Sequence, residues 1–202
     1  SSYNKGGTGA EKFIASLIRD FNGWGAVTLG GALGRDNGVI PKHEAFFEYD
    51  HGFRLNDTPL VHGLEIVYGQ HWYWYSTARI LTFNEMTLLY LPGDWALSLG
   101  LTGSQSHFFG AGSEWRPSGV ARLGFPIASW EQRRLAGNIF YAVGTENFAH
   151  IDQIGEFASH TYGGGLRWQF PRHQDVTGFA AYQKRSQDRA ESSFGFSYGI
   201  RF

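Results

Sequence analysis

The chain has 202 residues with 17 Lys+Arg against 18 Asp+Glu, a size for one domain or one domain with a short appendage and a charge balance that excludes electrostatic capture of nucleic acid. The absence of Cys removes thiol catalysis, thiolate metal ligation and disulfide stapling together. Aromatic residues make up 17% and Gly 28 positions, which favours strands over helices, and no apolar run reaches the roughly 18 residues a membrane-crossing helix needs.

In chain order, the first segment starts at Ser1 without Met, as a mature or trimmed product would. After the flexible Gly6-Gly7, AEKFIASLIRDF (10–21) sets Phe13, Ile14, Leu17, Ile18 and Phe21 at helical spacing. This predicts a short amphipathic helix within residues 1–23, at a rim, as a plug, or as a docking element for a periplasmic partner; an extra strand is the alternative. From residue 24 the period becomes two. Residues 24–34 alternate loosely. In 43–55, Ala45, Phe47, Tyr49, Phe53 and Leu55 oppose Glu44, Glu48, Asp50 and Arg54. In 60–75, Leu64, Ile66, Tyr68, Trp72 and Trp74 oppose Gly63, Glu65, Gly69 and His71. Residues 80–91 are less regular, whereas Trp95, Leu97, Leu99 and Leu101 oppose Ala96, Ser98, Gly100, Thr102 and Ser104.

Further on, Trp115, Ala121, Leu123 and Phe125 oppose Arg116, Ser118 and Arg122, and Leu135, Ile139, Tyr141 and Val143 oppose Arg134, Asn138 and Gly144. Tyr162, Leu166, Trp168 and Phe170 oppose Thr161, Gly163, Gly165, Arg167 and Gln169; 176–185 is a weaker strand. The chain closes with SSFGFSYGIRF (192–202), where Phe194, Phe196, Tyr198, Ile200 and Phe202 alternate with Ser, Gly and Arg201. The sum is about ten strands of roughly ten residues, the length that crosses a bilayer at a tilt. Every second connection contains Pro, as at 56–59, 92–94, 126–131 and 171–175, while most of the others are longer. This asymmetry fits an up-and-down antiparallel barrel with the C-terminus on the short-turn, periplasmic side.

Period two does not itself say which face is buried, since a soluble barrel would turn its aromatics inward. Aromatics tip the apolar faces at both ends: Trp24, Trp95, Trp168, Phe170 and Phe202 at one, Trp72, Trp74 and Trp115 at the other. Two interfacial girdles around a lipid belt account for them. The expectation is an all-β transmembrane barrel over 24–202 with its polar face inward. On that face Glu44, Glu48, Asp50 and Glu65 lie early, and Arg116, Arg122, Arg134, Arg167 and Arg201 late, an acidic wall set against a basic one. Such groups pair within a filled interior, or else line a porin-like pore for small polar solutes.

On these residues the segment from Trp24 to Phe202 resembles a Gram-negative outer-membrane β-barrel. Phe194, Phe196, Tyr198, Ile200 and Phe202 resemble the C-terminal signal read by the barrel-assembly machinery, with Ser197 where that signal often carries Gly. The stretch LTFNEMTLLYLPGDWALSLGLTGSQ (81–105) and the last two strands are similar in texture to the YaiO-type family. That resemblance implies an outer-membrane location amid lipid and lipopolysaccharide, and a part in a cell-envelope assembly for exopolysaccharide export.

A serine hydrolase needs a base beside its nucleophile, and no His has Ser two residues before or after it, although Ser104 and Ser106 crowd His107. His51 and His160 read as interfacial residues. No spacing suits a metal, because His43 and Glu44 would face opposite ways on a strand. No enzyme, metal or cofactor is therefore expected. A stand-alone narrow channel and a lipid-modifying enzyme are the alternatives to transport within an assembly.

Overall fold

The computed structural model describes residues 2–5, 8–35, 40–55, 58–110, 112–145, 158–171, 174–185 and 190–200. The described chain is all-β. Its strands are β1 (Ser2–Lys5), β2 (Thr8–Asp20), β3 (Ala26–Gly34), β4 (His43–Arg54), β5 (Gly63–Trp74), β6 (Ala78–Leu91), β7 (Trp95–Phe108), β8 (Gly112–Trp130), β9 (Arg133–Thr145), β10 (Ala158–Phe170), β11 (Gln174–Arg185) and β12 (Ala190–Ile200). They follow one another in chain order: β2 to β12 form an antiparallel up-and-down series, and β1 is a short arm hairpinned onto β2.

The helix expected over 10–21 is absent; these residues belong to β2, which pairs with β3 from Lys12↔Gly34 to Asp20↔Ala26. The apolar residues there satisfy two periods at once. Phe13, Leu17 and Phe21 also fall on alternate positions with Ala15 and Arg19, and what decides is the Asn22-Gly23 dipeptide that follows, a hairpin signal. Gly23 and Gly25 take φ of +83° and +92° in that turn, where the Phe21 amide donates to the Gly25 carbonyl at 2.9 Å. Two additional strands, β1 and β2, raise the count from about ten to twelve among the described residues.

The turn expected over 126–131 is also displaced. β8 continues to Trp130, passing Pro126 with a register shift between Pro126 and Ala128, and the reversal falls at Glu131, at φ +52°. Proline lacks the ladder donor, so a bulge is where a strand tolerates it.

The chain packs as two units, one of Ser1–Gly52, Glu65–Met86 and Leu101–Pro117, the other of Phe53–Leu64, Thr87–Gly100 and Ser118–Phe202. In the first unit the buried side chains are, Ile80 apart, small or polar: Ala32, Glu44, Ala78, Thr82 and Ser104. Its large apolar residues are exposed, Phe13 at 69% and Leu17 at 70% among them. In the second unit Ser159 is buried while Phe194 is 87% and Phe196 75% exposed. The first unit therefore covers the polar face of its sheet and leaves the apolar face bare, and in the second unit the apolar face of β12 is likewise bare.

The covered face is filled by aromatic rings laid over glycines. A Cβ on Gly30 would collide with the Phe46 ring, and one on Gly163 with the Phe140 ring, its directly paired neighbour. Phe179, itself 50% exposed, lies against Gly195 in the same way. Gly163→Val is expected to displace the Phe140 ring and cost about 1–3 kcal/mol, read as a lowered urea midpoint at unchanged m-value. Adding Phe140→Ala to that variant should recover part of the loss, and a midpoint unaltered by Gly163→Val would show that the ring is not held there.

Candidate functional site: the charged cluster of the polar face

The first unit gathers its titratable groups around Glu44. Glu44 on β4 pairs directly with Ala32 on β3, and Gly34 on β3 pairs with Lys12 on β2. Strands lie about 4.8 Å apart, so β3 stands between Lys12 and Glu44. Because β3 offers only Ala32 and Gly34 there, the lysine crosses above it and Lys12 Nζ donates to Glu44 Oε1 at 2.7 Å. On the other side, His71 Nε2 of β5 lies 3.1 Å from Glu44 Oε2. The carboxylate side chain is 4% exposed and has a partner on each oxygen. An ionised group so deep in the fold needs that arrangement.

The imidazole is fixed in turn. It stacks on Tyr73 at 4.0 Å and 12°, with the Phe46 ring at 5.3 Å. Thr82 Oγ1 donates to the His71 carbonyl at 3.4 Å. Beyond the end of β5, burial first, then Tyr73 and Glu44, pushes the Tyr75 hydroxyl up to about 12, so it stays a neutral donor. On β7, Ser104 is 1% exposed and its Oγ has no hydrogen-bond partner among the described residues.

Of the expected lumen charges, Glu44 becomes the centre of this cluster, but with Lys12 and His71 as partners rather than an arginine. Glu48 is exposed, and Asp50 and Glu65 are half-buried. The arginines pair locally. Arg116 Nη2 bonds Glu114 on its own strand at 2.6 Å, Arg134 bonds Asp94 at 2.8 Å, and Arg167 Nε bonds Asp175 at 3.2 Å. Arg122 lies over the Phe140 ring at 5.7 Å. These arginine pairs join residues of one strand or of nearby elements. Lys12, Glu114, Asp94 and Asp175 escaped the sequence reading; Lys12 did so because its strand was read as a helix.

The aromatic residues expected as girdles lie on the bare face or at strand ends. Trp24, 79% exposed, sits in the β2–β3 turn, where its carbonyl accepts from Tyr49. Trp95 opens β7 against Phe125, Trp168 packs between Trp130 and Phe170, and Trp115 meets Phe83. Phe194, Phe196, Tyr198 and Ile200 are all exposed on β12. Arg201 and Phe202 lie outside the described residues. His51 stacks beside Tyr49, and Tyr141 Oη lies 2.7 Å from His160 Nδ1.

A second constellation lies on the more apolar face, in a hollow of about 160 Å³ bounded by Trp72, Trp74, Arg79, Leu81, His107 and Ser113. There His107 Nδ1 is 2.9 Å from Ser113 Oγ. No Ser stands two places from a His on one strand; the pair instead spans the β7–β8 hairpin. The signal was the tight turn at Gly110 and Gly112, with φ of +91° and +83°, which brings the two arms into register. Among the described residues no group of three or more His, Asp or Glu side chains could hold a metal ion.

Removing the cation above β3 by Lys12→Met leaves the buried carboxylate with His71 alone and is expected to destabilise the fold by about 3 kcal/mol, measured by urea unfolding. Arg134→Gln, which breaks an exposed pair with Asp94, should cost under about 1 kcal/mol. Equal losses in the two variants would refute the ranking.

Comparison with known proteins returns no matching family model, no matching curated protein and no matching solved structure.

Proposed function

We propose that this chain is a β-barrel of the Gram-negative outer membrane, with its apolar face in lipid and its polar face turned to a side-chain-filled interior, and that it serves as a component of a cell-envelope assembly. The observation that carries this reading is the inverted burial: Glu44, Thr82, Ser104 and Ser159 are covered while Phe13, Leu17, Phe194 and Phe196 are bare. A soluble barrel places its aromatics inward. In hydrocarbon an open sheet edge is untenable, so the up-and-down series must close on itself. The main strands, 9 residues in β3 and 12 in β4, have the length for a tilted crossing.

The rings over Gly30, Gly163 and Gly195 and the local ion pairs favour a filled interior over an open pore. A polysaccharide could not pass such a core, so a role in exopolysaccharide export requires a partner that supplies the conduit. With residues 10–21 in strand β2, the docking-helix route to a periplasmic partner no longer applies.

The test is refolding from urea into phosphatidylcholine vesicles. The chain should acquire heat-modifiable gel migration and protease protection, its tryptophans should be quenched by brominated acyl chains, and planar bilayers should show no steady conductance. A detergent-free soluble monomer with shielded tryptophans would overturn the membrane reading. Stable ion conductance would overturn the filled interior alone and favour the narrow channel.

A further inference from the structure

The expectation of no enzymatic activity was drawn from sequence neighbours on single strands, and the β7–β8 hairpin supplies what they lack. Four polar residues interrupt the apolar face at one place: Arg79 on β6, Gln105 and His107 on β7, and Ser113 on β8. Further along the same face these strands carry Leu81, Phe83, Leu99, Leu101 and Trp115, with Gly103 and the exposed Glu85 among them. The polar group is thus the terminus of an aliphatic track, along which Leu101 is 65% exposed. Trp72 and Trp74 wall the hollow on the β5 side.

From this geometry we infer a Ser–His acyl-ester hydrolase site in the hollow, with Ser113 as nucleophile, His107 as general base and a long-chain acyl ester of an amphiphile as substrate. The His107–Ser113 contact of 2.9 Å is within the reach proton transfer requires. The track at Leu81 and Leu101 receives the hydrocarbon chain, and the polar end meets the ester. Arg79, held with its guanidinium 5.8 Å from the Phe109 ring, places a positive charge at the same hollow. That charge favours the oxyanion that develops on the ester carbonyl.

The step balances without a further reagent. His107, carrying its one proton on Nε2, accepts the Ser113 hydroxyl proton at Nδ1 as Oγ bonds to the carbonyl carbon. The ester C–O bond then breaks, and the leaving alcohol takes the proton from the imidazolium. Water, deprotonated by His107, attacks the acyl-serine; the free fatty acid departs and Ser113 recovers its proton.

Placing the substrate in a lipid leaflet rests on the membrane reading above, but the dyad does not. The full chain, in detergent micelles and in vesicles, is treated with a long-chain alkyl fluorophosphonate and, separately, with p-nitrophenyl palmitate and butyrate. Adduct formation on Ser113, located by peptide mass spectrometry, and faster hydrolysis of the palmitate ester are expected. Ser113→Ala should abolish both, and His107→Asn should slow both by roughly 10²-fold, each variant keeping the gel migration of the parent. An unlabelled folded parent, an adduct mapping to another serine, or undiminished hydrolysis in Ser113→Ala would overturn the site. Labelling of a chain that never enters vesicles would instead refute the membrane reading and leave the dyad standing.

Discussion

A β-sheet satisfies its backbone within the ladder, so its side chains are free to decide which face is covered. In this chain the covered face is the polar one, and that inversion constrains everything else. A covered polar atom left without a partner is costly. Glu44 therefore cannot stand alone, and its two oxygens are met from both sides, by Lys12 across β3 and by His71 on the adjacent β5. The stacking of His71 on Tyr73 and the Thr82 hydrogen bond to its backbone follow from the same need, because a partner that wandered would leave the carboxylate exposed to its own desolvation.

The second consequence is volumetric. A covered face made of polar side chains has no interdigitating aliphatic core, and close packing has to come from elsewhere. Here it comes from pairing the largest side chains with the smallest. Ala32 and Gly34 let a lysine pass over β3, and the Phe46, Phe140 and Phe179 rings lie flat on Gly30, Gly163 and Gly195. The abundance of both glycine and aromatic residues in the composition thereby acquires one explanation. At Gly30, Gly163 and Gly195 the ring occupies the volume that a side chain on the glycine would have taken.

How much of this was legible follows from what each signal encodes. Alternation is a local property, so the cleanly alternating strands, such as 43–55, 95–107 and 192–200, and the division of their faces could be read directly; Glu44 and Phe47 sit on opposite faces as their parity requires. Residues 10–21 could not be read by period, because Phe13, Leu17 and Phe21 fit both templates; only the Asn22-Gly23 turn distinguishes them. Partners were the least legible. The sorting of early acids against late bases concerned sequence order, whereas charges bind to whatever lies within a few ångströms. Asp175 on β11 is near Arg167 through hairpin geometry, Asp94 in the β6–β7 turn is reached by Arg134 from β9, two strands beyond β7, and Glu114 is near Arg116 by parity on one strand.

The same distinction explains why the Ser113–His107 pair escaped notice. Parity on a single strand reports only i and i+2 neighbours, but a hairpin creates cross-strand neighbours whose separation in sequence depends on the turn. With Gly110 and Gly112 reversing the chain, residues 107 and 113 meet on the apolar face. A hydrogen-bonded pair on that face is energetically odd in a way that a pair on the polar face is not. Glu44, Lys12 and His71 are explained by the carboxylate's own burial, so nothing beyond stability is needed to account for them. His107, Ser113 and Arg79 relieve no buried charge, and they stand where Leu or Trp would serve a lipid-facing surface better. Polar groups that stability does not require are the ones to which chemistry is reasonably assigned.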